Sequence, residues 1–431
     1  MHKRQRRLVN PTFNHTSVRG YVGLFHRHAR ALVARVEELR ARNDLVELAP
    51  HMKPRYSNIR AANIGPVIDV LNWVSRTTLD VIGEAAFNYD LRSLHPGAQG
   101  SDIAISFQKM MTRVADITLF ERFQLHIEQF SMFDRVRPLP TSFNRAAQET
   151  QKDVEVVAGT MIDNPQRVFT TEEADLLSKL VTINEDPKTP RAHRMSRQEL
   201  LGQLTTIILA GHETTSTALT WTLKYLAEHP SMQNRLRAEI REAWTDDEDD
   251  LSFETLTDLP YLGRVTNEIL RLQPPVFSTN REAAHDCVIP LSQPIRMKDG
   301  SLVSHFPVRA GQPLIISIVT YNRRKDIWGD DALEFKPDRW LRLPDAVRNN
   351  GIPGGHLAFI SGPRNCVGSK FALTEFKVIL SHLIRAFEFK PLPKDICQFN
   401  SKQVVVTRPR VIGVLEEGTQ CPLQILPAPA P

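Results

Sequence analysis

Apolar residues recur at helical spacing over most of the chain and predict a mainly helical protein. The pattern is clear in segments 17–42, 65–87, 231–244 and 259–275, the last of which ends at two prolines. The longest such run covers 195–230. Ser196 and Glu199 have the spacing of a capping box at its start, and Pro230 ends it. A helix of this length is expected to cross the whole core.

From about residue 276 the pattern changes to short β-like runs, such as 314–321 and 402–407, separated by turns with Gly and Pro. No internal repeat or dividing linker interrupts the chain. The sequence therefore predicts an α+β fold, mainly α with small β-sheets, in a single domain of residues 1–431. Residues 422–431 are expected to form a Pro-rich C-terminal tail.

Composition adds limits to this picture. With 431 residues, 41% hydrophobic and 24% charged, the chain suits a globular protein with a large core. Four scattered cysteines do not form a disulfide framework. The net charge of +5 is mild, and the basic start "MHKRQRR" is more simply a solvated helix face than a nucleic-acid or membrane patch. No apolar run of transmembrane length and no signal-peptide core occurs.

One of the four cysteines, Cys366, lies in "FISGPRNCVG", residues 359–368, at the start of a helix predicted to begin near Val367. Free N–H groups at a helix start stabilise a thiolate, and the two glycines allow close approach of a bulky group. The residues alone leave three interpretations: a small buried side chain, a nucleophile paired with a histidine such as His356, or a metal ligand.

The pattern Phe359-x-x-Gly362-x-Arg364-x-Cys366-x-Gly368 resembles the heme-binding signature of the cytochrome P450 superfamily at every fixed position. The resemblance implies the cytochrome P450 fold and a heme b (iron protoporphyrin IX) with Cys366 as its axial thiolate ligand. The other four residues of the pattern would contact the cofactor.

The segment "AGHETT" in the long predicted helix resembles the oxygen-activation motif of the same family. Ala210, Thr214 and Ala218 form one stripe of small side chains, which is equally typical of close helix packing. The resemblance implies that Ala210 lies against the heme, that Gly211 removes bulk there, and that Thr214 and Glu213 are catalytic, handling dioxygen and protons.

Glu268-x-x-Arg271, taken alone, is a common i, i+3 ion pair. By resemblance it is joined by Arg339 of "FKPDRW" in a buried network that holds the cysteine loop. The following segment would line the substrate pocket with Val276 and Phe277, and Arg281 would bind a heme propionate. A strand with a surface arginine is the alternative.

Three residues of the long helix, Ile207, Gly211 and Thr215, are expected to complete the substrate pocket, and segment 101–140 is expected to form its lid. At the N-terminus, His2 and Arg6 have the places of the family's Trp-x-x-x-Arg, so both would bind a heme propionate. By the same resemblance the chain lacks the family's membrane anchor, first helices and first strands. It is most similar to fungal microsomal members and is interpreted as N-terminally truncated.

The resemblance implies a heme-thiolate monooxygenase that inserts one oxygen atom of O2 into a small lipophilic substrate. Electrons would come from NADPH through NADPH-cytochrome P450 reductase, with Lys370 and Lys377 as candidate docking residues, and no nucleic acid is involved. The family works at the cytosolic face of the endoplasmic reticulum membrane; without an anchor, a cytoplasmic location is the alternative. Alternatives for the activity are a truncated non-catalytic heme-binding protein, an inactive fragment, or a reductase-independent heme-thiolate enzyme.

Overall fold

The computed structural model describes residues 2–41, 65–95, 106, 142–163, 175–244, 250–403, 406–413 and 418–430. Helices dominate these segments. We number them in chain order as α1 (His2–Val9), α2 (His15–Gly20), α3 (Val22–Ala41), α4 (Val70–Phe87), α5 (Ser142–Asp163), α6 (Leu176–Glu185), α7 (Arg197–Glu228), α8 (Pro230–Ala243), α9 (Phe253–Asp258), α10 (Pro260–Leu272), α11 (Ile318–Arg323), α12 (Lys325–Trp328), α13 (Asp345–Arg348) and α14 (Ser369–Ala386).

The strands are short and form separate small sheets. They are β1 (Val67–Asp69), β2 (Ser278–Glu282), β3 (Cys287–Arg296), β4 (Leu302–Val308), β5 (Pro313–Ser317), β6 (Phe387–Lys390), β7 (Phe399–Gln403), β8 (Thr407–Val411) and β9 (Pro422–Pro427). One sheet has the order β1-β9-β6, and the pairs β2-β5, β3-β4 and β7-β8 make the other three, all antiparallel. The prediction of a mainly α protein with small sheets is confirmed.

Helix α7 is 32 residues long and is largely buried, as the sequence predicts. Its start is fixed by the predicted capping box: the Ser196 hydroxyl accepts from the Glu199 N–H, and the Glu199 carboxylate accepts from the Ser196 N–H at 2.9 Å. These contacts satisfy N–H groups that the helix itself leaves free. The N-terminus of α7 is thereby fixed at Ser196, and the helix runs through the core from there.

Helix α14 is held against the N-terminal helices by aromatic side chains. The ring of Phe371 meets those of Phe13, Tyr21 and Phe25 edge to face, with ring centroids 4.9–6.1 Å apart. Edge-to-face pairs of this kind add about 0.5–1.5 kcal/mol beyond the area that they bury. The helix that follows Cys366 therefore has a fixed place in the core.

Three segments differ from the sequence prediction. Segment 65–87 begins as β1 and becomes helical only at Val70, because the Asp69 side chain caps the helix by accepting from the Leu71 N–H at 3.1 Å. In 314–321 only the first residues are a strand; Ser317 caps a helix there. Helix α14 begins at Ser369, two residues later than predicted.

The segment predicted to be a Pro-rich tail begins as a strand. Residues 422–427 form β9 between β1 and β6, with Leu423 and Ile425 buried. Within the described residues, none of the helices combines the length and the apolar character needed to cross a bilayer. The predicted lid segment 101–140 lies outside the described residues, apart from residue 106.

Candidate active site

Residues 359–368 form a loop whose backbone is closed on itself. The Cys366 N–H donates to the Phe359 carbonyl oxygen at 2.8 Å. The turn between them needs two residues in the left-handed region: Gly362 at φ +77° and Ile360 at φ +59°. A β-branched residue rarely adopts such a φ, so Ile360 is a strained position held by its surroundings. The Cys366 side chain is exposed at the end of this loop.

Helix α1 is hydrogen-bonded to the loop next to Cys366. The Arg6 guanidinium donates to the Asn365 carbonyl oxygen at 2.6 Å and to the Asn365 side-chain oxygen at 2.7 Å, and its Nε donates to Asn10. In this arrangement Arg6 positions the neighbour of Cys366, and its contact with a heme propionate stays a prediction. The His2 side chain lies outside the described residues.

The Cys366 thiol has opposing influences on its charge. Although the side chain is exposed, desolvation by the packed loop raises the pKa of Cys366 above its ordinary value. A hydrogen bond from the Gly368 backbone and the positive charge of Arg6 lower the pKa and partly offset that effect. The free thiol therefore keeps its proton at neutral pH, while the groups that would stabilise a thiolate are already in place.

Behind the loop, Glu268 and Arg271 of α10 form a fully buried ion pair. The Arg271 guanidinium donates to both Glu268 oxygens at 2.8 and 2.9 Å. Arg339 joins them at 3.4 Å from Glu268 and donates to the Trp328 carbonyl at 3.0 Å. The predicted network of Glu268, Arg271 and Arg339 is thus brought together in the structure.

Two members of this network were missed from the sequence. The Trp340 indole N–H donates to Glu268 at 3.0 Å, and the Lys336 backbone N–H donates to it at 2.9 Å. Trp340 follows directly after Arg339 in "FKPDRW". An indole that is even partly buried usually has a hydrogen-bond partner for its N–H, and that tendency was the available signal.

Contacts run from this network to the cysteine loop. The Trp340 ring meets the His356 ring edge to face at 5.8 Å, and the Asn322 side chain accepts from the Leu357 N–H at 2.9 Å. Arg271 in turn donates to the Asn322 carbonyl at 2.9 Å. The chain before Phe359 is therefore fixed by the same buried groups.

His356 is not arranged as the partner of a nucleophile. It is buried, and its Nδ1 accepts from the Ala358 N–H at 3.3 Å. Burial, reinforced by the charge of Arg271, lowers the pKa of His356 to about 4. A neutral imidazole used by the backbone does not activate Cys366.

Helix α7 has one solvent-exposed face, although most of the helix is buried. Thr206 and Ala210 are exposed and Thr214 is half-buried, at i, i+4 and i+8. The Thr214 hydroxyl donates to the Ala210 carbonyl at 2.8 Å, which leaves its oxygen lone pairs free on this face. This stripe is the surface against which a bound group can lie.

Gly211 and Thr215 have other neighbours. A Cβ on Gly211 would stand 2.9 Å from the Ile82 side chain, so glycine is needed there for the crossing of α4 and α7. Thr215 is buried beside Glu375 of α14. Of the predicted pocket residues on α7, Ile207 is half-buried and packs against the core.

Glu375 was missed from the sequence, although an acid amid the apolar residues of 371–384 was a usable signal. Its side chain is buried, and neither oxygen has a well-formed hydrogen bond. Desolvation raises the pKa of Glu375 well above its ordinary value, against a smaller opposing effect of the Thr215 hydroxyl. Burial therefore favours the protonated form of this carboxyl in the folded chain.

Glu213 is held inside the protein. Its carboxylate is paired with Arg408 of β8 and lies 3.0 Å from the His212 ring nitrogen. Burial is the largest single influence and raises the pKa of Glu213, but the charges and hydrogen bonds of Arg408 and His212 together outweigh it and lower the pKa to about 2. Arg408 is far away in sequence and carries no motif, so sequence reasoning missed it.

The remaining predicted residues lie on β2, directly before it, and in the cysteine loop. Val276 and Phe277 are half-buried, and the Phe277 carbonyl accepts the first N–H groups of α11. Arg281 donates through Nη1 to Thr279 and to the Asn280 carbonyl, so its other N–H groups remain available. Arg364 is exposed and has no ion-pair partner among the described residues.

These features fit the heme expected from the sequence. The exposed Cys366 sulfur is the soft donor that iron takes as a thiolate. Arg364 and Arg281 offer guanidinium groups for carboxylates, and the stripe of Thr206, Ala210 and Thr214 offers a flat face of small side chains. No described group competes for the sulfur.

Comparisons with known proteins agree with this geometry. The sequence model of the family Cytochrome P450 matches residues 1–415. Cytochrome P450 monooxygenase 205 of Postia placenta is 33% identical over 437 residues, covering 99% of this chain and 76% of that protein. Cytochrome P450 monooxygenase claP of Ampulloclitocybe clavipes is 33% identical over 435 residues, covering 98% and 75%.

The buried ion pair predicts a large effect of one substitution. Glu268→Gln leaves Arg271 and Arg339 buried without their carboxylate, and we expect it to lower the free energy of unfolding by about 3–5 kcal/mol. Asp345→Asn is the matched control, since Asp345 pairs with Arg348 at i, i+3 on the surface and should cost at most about 1 kcal/mol. Urea unfolding of both variants measures the difference; equal losses would contradict a buried anion.

Glu375 predicts a pH effect. Because its pKa is raised in the folded chain, the folded state keeps a proton that the unfolded state loses above about pH 4.3, and stability falls as pH rises. This fall should be absent in Glu375→Gln. The free energy of unfolding of the variant should therefore rise relative to that of the wild type by up to about 1.4 kcal/mol per pH unit. Unfolding measured from pH 5 to 8 tests this, with the exposed Glu254→Gln as control. A pH-independent difference would refute it.

Proposed function

The chain belongs to the cytochrome P450 family, and from this premise we propose that it binds heme through Cys366 and inserts one oxygen atom of O2 into a lipophilic organic substrate. It is an oxidoreductase of the monooxygenase type. Support for the proposal comes above all from the exposed Cys366 thiol, which ends a strained loop fixed from two sides. Its electrons would come from NADPH through a flavoprotein reductase.

A heme with an axial thiolate supplies, when bound, the electron-rich iron that favours O–O bond cleavage. The residues of this chain hold and tune that group. Cys366 gives up its proton on ligation, and the Gly368 N–H and the Arg6 charge stabilise the resulting thiolate. Arg364 and Arg281 are proposed to bind the propionates. The Phe359 carbonyl fixes the Cys366 backbone.

On the opposite side of the site we assign roles to two residues of α7. The Thr214 hydroxyl donates to the Ala210 carbonyl, and its oxygen is available as an acceptor on the exposed face of α7. Glu213 is ionised and paired with Arg408, so it contributes a proton only after exchanging Arg408 for water. In the arrangement seen here Glu213 anchors β8 to α7 and thereby positions Thr214.

The apolar character of the predicted pocket residues supports a lipophilic substrate, because Val276, Phe277 and Ile207 are apolar and half-buried. For the reductase, exposed Lys370 remains a candidate contact. Lys377 is less suited to docking, since its ammonium group donates to the Leu256 carbonyl at 2.9 Å. Such a partner would place the working complex at the cytosolic face of the endoplasmic reticulum membrane.

The proposal predicts an optical signature. The reduced heme-loaded chain should bind carbon monoxide with the red-shifted absorption band of a thiolate-ligated heme. Cys366→Ser should abolish this band, because a serine hydroxyl does not replace the thiolate.

Cys287→Ser is the matched control and should keep the band, since Cys287 lies on β3, outside the loop. An unshifted band in the wild type would refute thiolate ligation. If the purified chain takes up no heme at all, the enzymatic proposal for this chain fails, while its family membership stands.

A further inference from the structure

Two histidines and one aspartate lie close together, and the proposed reaction uses none of them. His26 lies on α3, His382 on α14, and Asp250 precedes α9. His26 Nδ1 is 2.8 Å from His382 Nε2 and 3.3 Å from an Asp250 oxygen, and the latter two are 3.9 Å apart. We call these three residues the His–Asp–His cluster.

The atoms that face one another in the cluster are mostly hydrogen-bond acceptors. His26 Nε2 is 2.9 Å from the Leu251 carbonyl oxygen, which only accepts, so Nε2 carries the ring proton and Nδ1 has a bare lone pair. The Asp250 oxygen beside it is also an acceptor. Apart from the Arg30 N–H that is paired with the Asp250 oxygen, a single proton, on His382 Nε2, is left to serve the three converging atoms.

We propose that the His–Asp–His cluster is a binding site for a divalent transition-metal ion, with zinc as the representative metal. A cation at the centre would satisfy all three lone pairs, with His382 carrying its proton on Nδ1. Tetrahedral zinc with bonds of about 2.0–2.1 Å places ligand atoms about 3.3 Å apart. Of the three observed separations, 3.3 Å matches this value, 2.8 Å is shorter and 3.9 Å is longer, so shifts of about half an ångström complete the site.

The surroundings of the cluster resemble those of built metal sites. A metal-bound histidine usually donates its other ring N–H to a carbonyl or carboxylate, which fixes its tautomer and orientation, and His26 donates to Leu251 in this way. The Trp244 ring packs edge to face on both imidazoles, at 6.2 and 4.9 Å. His26 is fully buried, whereas the Asp250 side chain is 27% exposed, which gives an ion its path and leaves room for a water as fourth ligand.

Two arginine side chains lie near the site, and their positive charge opposes metal binding. Arg30 of α3 is paired with the Asp250 oxygen that points at the histidines, and Arg385 lies over the Trp244 ring at 4.2 Å. Arg30 must therefore release that oxygen when the ion binds. Its side chain is 48% exposed and can do so at little cost. A bound ion would tie α3 to α14, the helix that follows Cys366.

The test is zinc binding to the heme-loaded, chelator-treated chain, measured by equilibrium dialysis with elemental analysis. The wild type should bind one zinc per chain at this site, and its thermal unfolding midpoint should rise with zinc. Asp250→Asn should weaken binding at least about tenfold, whereas Arg30→Gln should tighten it by removing the competing cation. The exposed His285→Gln is the control and should change nothing.

The two substitutions act in opposite directions, so loss of folding cannot imitate the expected result. X-ray absorption at the zinc edge should show nitrogen and oxygen neighbours only. The proposal is overturned if the wild type binds no zinc, if Asp250→Asn binds as tightly as the wild type, or if the zinc has a sulfur neighbour. None of these outcomes depends on heme ligation or on turnover.

Discussion

A carboxylate without access to solvent must find its hydrogen bonds inside the protein, and most of the residues that supply them to Glu268 are distant in sequence. Its two oxygens accept from Arg271, Arg339, Trp340 and the Lys336 backbone. Such a group is costly to bury and is more costly to leave unpaired. Because every partner is needed, segment 318–340 has one place relative to α10.

The cysteine loop takes its position from this network and from α1. Trp340 and Asn322 contact the residues directly before the loop, and Arg6 donates hydrogen bonds to Asn365 beside the cysteine. The loop can then hold Ile360 at a positive φ, which an unsupported backbone would relax. The position of the Cys366 sulfur is thus set by protein contacts.

Local signals in the sequence were enough for the helices and for the network. The capping box at Ser196 and the apolar periodicity of α7 and α10 act within a few residues, so the sequence predicts them well. Partnerships across the fold were not visible: nothing in "TRPR" marks Arg408 as the partner of Glu213, and nothing near Arg6 indicates its hydrogen bonds to Asn365. The close approach of Ile82 to Gly211 was likewise not visible, because it depends on how α4 and α7 cross.

The central claim is that the Glu268 network and α1 hold Cys366 as the protein ligand of iron. X-ray absorption at the iron edge of the heme-loaded chain tests it most directly. The account predicts one sulfur atom in the first coordination shell of the iron, and loss of sulfur ligation in part of the molecules when Arg6→Gln loosens the loop. An iron surrounded by nitrogen and oxygen alone in the wild type would contradict it.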